Sequence, residues 1–225
     1  MLWRHGQTTF NAERRFQGQL DVPLNDRGRQ QAALAARYIA ALRPGVIFSS
    51  DLSRAAETAA ALARLTGLSV KLDPDLRERA GGDWEGLSDA QLREQYGHSY
   101  SHWTSAPASW APPGGESGHS VADRASGALL RVADSVPGGS TAVVVSHGGA
   151  LGLGPARLLG IPEGVRMLGT LGNCHWSVLG RRDGKWRLLE HNVGSLPEPV
   201  EDVEAQVPVE AGGEAPAGDG ARREE

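Results

Sequence analysis

Residues 141–149 read TAVVVSHGG, and this stretch determines the class of fold. The run from 141 to 146 is apolar nearly throughout and rich in Val, which is typical of a central strand covered on both faces of a sheet. The glycines that follow His147 allow the backbone to approach a neighbouring segment or a ligand closely. Such a strand indicates an α/β protein with helices on both faces of a largely parallel sheet.

Short β-branched runs and Ala-rich helical patterns alternate on either side of this stretch. Further strands are predicted at 46–49, 70–72, 174–179 and 186–190, with an Asp-Gly hairpin signal at 183–184. Helices are predicted from the Asn25 cap to Pro44 and at about 53–65, 89–96, 121–136 and 150–159. Only three residues precede Arg4, so we expect either a short first strand or a chain that begins further upstream. The pattern predicts a doubly wound α/β fold.

The composition of the chain changes at about residue 195. Residues 196–225 consist largely of Pro, Glu, Ala and Gly without a period, so they cannot bury enough apolar surface to offset the entropy of ordering. We predict one domain over residues 1–195 and a disordered acidic tail over 196–225. Within the domain, residues 97–118 are rich in Ser, Pro, Gly and Trp. They predict an irregular insertion over one end of the sheet, as in a lid.

The charge distribution favours a small anionic ligand. The net charge is −4, but residues 196–225 carry −7, which leaves +3 for residues 1–195. This domain lacks the dense basic stripe that nucleic-acid binding needs. The sequence has no run of 18 apolar residues and no signal-peptide pattern, and its single cysteine, Cys174, suits a reducing compartment. We expect a cytoplasmic protein that binds neither membranes nor nucleic acids.

Cationic and imidazole side chains follow three of the predicted strands, at the edge where open α/β sheets bind ligands. Such groups would repel one another unless an anion lay between them. In addition, the N–H groups of the helix that begins after Gly148 and Gly149 are expected to face the same anion. The pattern therefore predicts a phosphate site. Its residues are Arg4, His5, Arg54 and His147.

Eight short motifs occur in order between residues 2 and 192. They are LWRHGQT at 2–8, FQG at 16–18, DVPLN at 21–25, SSDLSRA at 49–55, LRE at 76–78, GDWEG at 82–86, GGES at 114–117 and SHGG at 146–149. Taken together, they resemble the histidine phosphatase superfamily in its phosphoglycerate-mutase-like branch. The resemblance implies the phosphoglycerate-mutase-like α/β fold and transfer of a phosphoryl group from a small phosphorylated metabolite.

The resemblance also implies a role for each site residue. His5 would be the nucleophile that forms a phosphohistidine, and Arg4, Arg54 and His147 would hold the phosphoryl group. Glu78 would protonate the leaving alkoxide and later accept a proton from water. The resemblance implies no metal ion and no cofactor. The positions that it assigns to the borders of the substrate are Asn11, Gln17, Gly18 and Gly148.

Details of the motifs favour a phosphatase over a mutase. Mutases commonly carry Asn after the second His-Gly, where Gly149 stands here, and a Tyr-Gly-x-Leu-x-Gly segment where this chain has GDWEGL. These departures, together with WAPPGGES at 110–117, are more similar to the glucosyl-3-phosphoglycerate phosphatases. We therefore expect a metal-independent phosphomonoester hydrolase that acts on this ester or a related one.

Three points stay open at this stage. A cofactor-primed phosphoglycerate mutase is the alternative function, and a phosphoanion-binding protein without catalysis is a third hypothesis. The oligomeric state is also open, with a homodimer as one hypothesis. Two other motifs are incomplete: Val144 stands where a serine-hydrolase elbow needs Gly, and Ser99, between His98 and His102, stands where a zinc motif needs Glu.

Overall fold

The computed structural model describes residues 1–103, 105–162 and 168–194. Within them, six strands form one sheet in the order β3-β2-β4-β1-β5-β6. The strands are β1 (Leu2–Arg4), β2 (Val46–Ser49), β3 (Val70–Leu72), β4 (Ala142–Ser146), β5 (Trp176–Arg182) and β6 (Lys185–Val193). The first four pair in parallel, whereas β5 and β6 are antiparallel. The tail predicted at 196–225 lies outside the described residues.

Helices cover both faces of this sheet. The α-helices of the described residues are α1 (Thr9–Ala12), α2 (Asp26–Ala41), α3 (Ser53–Thr66), α4 (Asp89–His102), α5 (Gly118–Asp134) and α6 (Gly148–Leu158). Val143 and Val145 of β4 pack with α2 and α3, while Val144 packs with α5 and α6 on the other face. This alternation follows from the two-residue period of a strand. The predicted doubly wound, largely parallel α/β fold is confirmed. None of the helices in the described part of the chain has the length and apolar character needed to cross a lipid bilayer.

Glycine contacts bring α2 against the loop that follows β1. The side chain of Asn25 caps α2 by accepting from the N–H of Gly28 at 2.8 Å, as predicted. A Cβ on Gly28 would overlap the carbonyl oxygen of Gln7, and one on Gly6 would overlap that of Gly28. The two backbone segments therefore touch directly, and neither position has room for a side chain.

The prediction of an irregular insertion at 97–118 is wrong for residues 97–102. Helix α4 begins at a Ser88–Gln91 capping box and continues to His102 through a kink at Gly97, whose φ is 44°. Glycine adopts this angle without steric penalty, so it redirects the helix where the sequence pattern indicated an end. The described residues from 103 to 117 form no helix or strand, and α5 begins at Gly118. The lid interpretation of this segment stays a prediction.

Candidate active site

Nearly all of the predicted site residues surround one cavity of about 450 Å³ at the edge where β1, β2 and β4 end. His147, the cap residue of α6, does not line the cavity, but its ring centroid lies 5.1 Å from that of the cavity residue His5. The predicted residues that line the cavity are Arg4, His5, Asn11, Gln17, Gly18, Arg54, Glu78 and Gly148. Strands distant in sequence therefore bring these residues to one place, as the topology predicts.

His5 presents one unprotonated ring nitrogen. Its Nδ1 lies 2.7 Å from the carbonyl oxygen of Gly6, and because a carbonyl only accepts, Nδ1 carries the proton. The lone pair is then on Nε2. Burial, reinforced by the positive charges of Arg4 and Arg54, lowers the pKa of His5 well below its usual value. The ring is therefore neutral at pH 7, as an attacking imidazole must be.

His147 has the opposite tautomer. Arg54 donates from Nε to Nδ1 of His147 at 3.2 Å, so the proton of this ring is on Nε2, which lies 2.8 Å from the hydroxyl oxygen of Ser50. Burial, with Arg54 and His5 beside the ring, lowers the pKa of His147 well below its usual value. Both imidazoles are thus neutral. The electrostatic repulsion that was expected among the four site residues is therefore limited to Arg4 and Arg54.

Arg54 is completely buried, and some of its N–H groups form hydrogen bonds within the protein. It donates from Nη1 to the carbonyl of Leu20 at 2.8 Å and from Nη2 to that of Gly18 at 2.7 Å. These carbonyls offset the electrostatic cost of a cation in the first turn of α3. The other N–H groups of Nη1 and Nη2 have no hydrogen-bond partner within the part of the chain that the structure describes. They can donate to a ligand in the cavity.

Asn11 and Gln17 are oriented through their oxygen atoms. The amide oxygen of Asn11 accepts from the Thr8 N–H at 3.1 Å and from Nδ2 of Asn173 at 3.2 Å. The hydroxyl of Thr8 lies 2.8 Å from the amide oxygen of Gln17. Within residues 1–103, 105–162 and 168–194, the amide nitrogens of both residues have no hydrogen-bond partner, and both side chains line the cavity. Each nitrogen is a donor, as recognition of phosphate oxygens requires.

Glu78 occupies the N-terminus of α6. Its carboxylate accepts from the N–H of Gly149 at 3.0 Å, of Ala150 at 3.2 Å and of Arg79 at 2.7 Å. The prediction that this helix end faces the phosphate is therefore wrong for Gly149 and Ala150, whose N–H groups bind Glu78 instead. A Cβ on Gly149 would overlap the carboxylate, so glycine at this position makes room for Glu78.

Sequence reasoning missed several residues that hold the site in place. The hydroxyl of Ser50 lies 2.8 Å from Nε2 of His147, and its place in the motif at 49–55 was an available signal. Asn173 donates to the carbonyl of His5 at 3.1 Å as well as to Asn11, and no sequence pattern connects residues so far apart. Nη1 of Arg4 donates to the carbonyl of Leu171 in the same loop. Among the described residues, no group of three or more His, Cys, Asp or Glu side chains could hold a metal ion.

Comparison with known proteins agrees with this geometry. Residues 1–194 match the sequence model of the histidine phosphatase superfamily (branch 1). A glucosyl-3-phosphoglycerate phosphatase of Mycolicibacterium vanbaalenii is 40% identical over 206 residues, which cover 84% of this chain and 91% of the relative. The protein named probable phosphoglycerate mutase GpmB of Cronobacter sakazakii is 38% identical over 190 residues, 82% of this chain and 86% of that protein.

A solved structure gives the same result. A mycobacterial glucosyl-3-phosphoglycerate phosphatase in complex with VO3 superposes with a TM-score of 0.81 at 40% identity, covering 86% of this chain and 98% of that one. The fold is that of an enzyme class that handles phosphoryl groups. This chain belongs to the histidine phosphatase superfamily, branch 1. The family and the phosphatase class predicted from the sequence are confirmed.

Proposed function

We propose that this protein hydrolyses phosphomonoesters without a metal ion, through a phosphohistidine formed at Nε2 of His5. The observation that carries the proposal is the hydrogen bond from Nδ1 of His5 to the Gly6 carbonyl. It leaves Nε2 unprotonated on a ring that burial keeps neutral, beside a cavity that Arg4 and Arg54 also line. Two fixed guanidinium groups supply the positive charge that a transferring phosphoryl group needs.

In the first step, Nε2 of His5 attacks phosphorus and the bond from phosphorus to the ester oxygen breaks. The carboxylate of Glu78 takes up a proton from solution as the anionic ester binds beside it, and it gives this proton to the departing alkoxide, so the product alcohol leaves neutral. The free N–H groups of Arg54 and the amides of Asn11 and Gln17 donate to the phosphoryl oxygens. In the second step, water attacks phosphorus, Glu78 accepts a proton from that water, and the N–P bond breaks to release phosphate and restore His5.

The substrate that we propose is glucosyl-3-phosphoglycerate or a closely related small phosphoester. Support comes from the 40% identical relative of Mycolicibacterium vanbaalenii, which is named a glucosyl-3-phosphoglycerate phosphatase and is covered over 91% of its length. The cavity is also larger than a phosphate group requires, and Phe16, Trp103 and Trp110 line it together with the polar residues. A broad apolar wall beside a small polar end suits an ester with a bulky leaving group.

We further propose that the protein works in the cytoplasm. Cys174 is buried and has no disulfide partner, which is compatible with a reducing compartment. Cell fractionation with an antibody against the chain tests this, and recovery of the protein outside the cytoplasmic fraction would contradict it.

The central test is removal of the nucleophile. The purified protein should hydrolyse p-nitrophenyl phosphate in excess chelator, and His5→Ala should lower kcat by at least about 1,000-fold, because no other group forms the covalent intermediate. His98→Ala, which removes an exposed histidine from α4, is the matched control and should keep full activity. Retention of most of the rate in His5→Ala would refute the proposed nucleophile.

A second experiment separates hydrolase from mutase. The protein is incubated with 3-phosphoglycerate and a bisphosphoglycerate primer, and with a panel of sugar phosphates that includes glucosyl-3-phosphoglycerate. We expect release of inorganic phosphate and the highest kcat/KM for the glucosylated ester. Rapid formation of 2-phosphoglycerate with little free phosphate would instead identify a mutase.

A further inference from the structure

Arg124 of α5 uses every hydrogen-bond donor of its guanidinium group. Nη1 donates to the carbonyl oxygens of Asp75 at 2.9 Å and Arg77 at 2.6 Å, and one N–H of Nη2 donates to that of Glu78 at 2.8 Å. The remaining two donors bind the carboxylate of Glu116, with Nε to Oε1 at 2.8 Å and Nη2 to Oε2 at 2.7 Å. An arginine has five N–H groups, so none is left over.

Glu116 completes this arrangement from the other side of the loop. Its Oε2 also accepts from the N–H of Ala80 at 2.8 Å, and the side chains of Arg124 and Glu116 are only 16% and 24% exposed. Burial alone would raise the pKa of Glu116, but the hydrogen bonds from Arg124 and Ala80 and the nearby charge of Arg79 hold the pKa below its usual value. Glu116 is therefore a carboxylate at neutral pH and a full ion-pair partner for Arg124.

The contacts of this pair converge on the segment that carries the acid. Residues 77–81 follow the 3₁₀-helix Pro74–Leu76 and belong to no helix or strand, so their backbone groups need partners from elsewhere. Arg124 and Glu116 bind backbone groups of residues 75, 77, 78 and 80, while the N-terminus of α6 binds the Glu78 carboxylate. Glu78 is thus held through its backbone by α5 and through its side chain by α6.

We propose that Arg124 and Glu116 are positioning residues for Glu78, and that their pairing sets the reach of its carboxyl group to the leaving oxygen. The inference rests on the proposed function, in which Glu78 protonates the alkoxide. Neither residue lines the cavity, so neither touches the substrate. Lysine at position 124 would have one nitrogen with three donors and could not bridge three carbonyls and a carboxylate together.

The test compares two esters that differ in their need for an acid. A p-nitrophenolate leaves without a proton, whereas an alkoxide such as that of glycerol 3-phosphate needs one. We use kcat/KM because it reports the step in which the leaving group departs. Arg124→Lys should lower kcat/KM for the alkyl ester by about 100-fold and for the aryl ester by less than about 5-fold. Glu78→Gln should show the same selectivity, to a greater extent.

Arg131→Lys is the matched control. Arg131 lies on the same helix and pairs with Asp73 and Asp75 beside the same segment, but it is 55% exposed and contacts no backbone group of residues 77–80. We expect Arg131→Lys to leave the ratio of the two kcat/KM values unchanged. Glu116→Gln keeps the size of the side chain and removes the charge, so it should shift the ratio in the same direction as Arg124→Lys. If Arg124→Lys does not fold, Glu116→Gln tests the inference in its place.

Equal losses on both esters in Arg124→Lys and Glu116→Gln, or no loss on either, would overturn the inference. These results leave the proposed function intact as long as His5→Ala is inactive. Conversely, full activity of His5→Ala, or an unmodified protein that hydrolyses neither ester, would refute the proposed function whatever the two positioning variants do.

Discussion

The proton lies on Nδ1 of His5 but on Nε2 of His147, although the two rings are only 5.1 Å apart. In both rings the tautomer is set by one unambiguous partner, the Gly6 carbonyl for His5 and the Arg54 guanidinium for His147. The difference gives the two residues different chemistry. In the proposed mechanism, His5 offers an electron pair to phosphorus. Both ring nitrogens of His147 instead bind groups of the protein, Arg54 and Ser50.

The lowered pKa of His5 predicts its titration behaviour. Burial and the charges of Arg4 and Arg54 disfavour the protonated ring, so the neutral form should persist at pH values well below 6.5. An NMR titration of ring-labelled protein should place the midpoint of His5 below 6.5. Arg4→Gln should raise that midpoint because it removes one of the two neighbouring charges. A midpoint at or above 6.5 in the unmodified protein would contradict the assignment of a buried, neutral nucleophile.

The sequence identified the residues of the site more reliably than it predicted the contacts between them. The residues after each strand could be predicted because strand ends in an α/β sheet meet at one edge, and Arg4, His5 and Arg54 all line the cavity there. What occupies the N-terminus of α6 could not be predicted, because Glu78 reaches it from a segment about 70 residues earlier in the chain. The roles of the site residues stay predictions until they are measured.

Helices α5 and α6 pack through small residues, and this determines how glycine substitutions act. A Cβ on Gly154 of α6 would lie 2.8 Å from the Cβ of Ala125 in α5, whereas a Cβ on Gly127 of α5 would meet only the flexible end of Arg131 at 3.7 Å. Gly154→Ala should therefore destabilise the protein by about 1–3 kcal/mol through overpacking. Gly127→Ala should stabilise it by about 0.5–1 kcal/mol, because alanine restricts the unfolded chain.

Urea denaturation measures both changes in the free energy of unfolding. The two variants make the same chemical change on neighbouring helices, so each serves as the control for the other. Equal effects of the same sign would show that the contact between α5 and α6 is looser than the structure indicates.

Element boundaries followed from local signals where those signals were unambiguous. The bounds predicted for the strands at 46–49 and 70–72 are confirmed, and the Asp-Gly hairpin is present with positive φ at Asp183 and Gly184. Gly97 did not allow the end of α4 to be predicted, because the same residue can end a helix or bend it. Only the contacts made by the following turn distinguish the two, and these contacts depend on the tertiary structure.

The whole molecule should lose stability in mild acid because it buries neutral histidines. The pKa values of His5 and His147 are lowered in the folded state, so below pH 6.5 the unfolded chain binds more protons than the native one. The stability that these two residues retain above pH 6.5 is lost as the pH falls towards their folded pKa values. Each residue contributes a slope of up to about 1.4 kcal/mol per pH unit in this window.

Urea unfolding at a series of pH values between 8 and 5 checks this expectation. The free energy of unfolding should fall below pH 6.5, and the Met1 amine, whose pKa burial lowers to about 6, adds a decrease of its own between pH 8 and 6. His5→Gln should reduce the slope in that window, because its side chain does not titrate there. A free energy of unfolding that stays constant from pH 8 to 5 would contradict burial of two neutral imidazoles.

The backbone contact between Gly6 and Gly28 bears on how such an enzyme can acquire new substrates. The loop that follows β1, directly after Arg4 and His5, packs peptide unit on peptide unit against α2, and neither Gly6 nor Gly28 tolerates an added atom. By contrast, the cavity walls that we assign to the leaving group include side chains of residues 103, 105–108, 110, 168, 170 and 171. Diversification is therefore restricted to these walls. A combinatorial library confined to them should yield variants with altered ester preference and intact turnover chemistry.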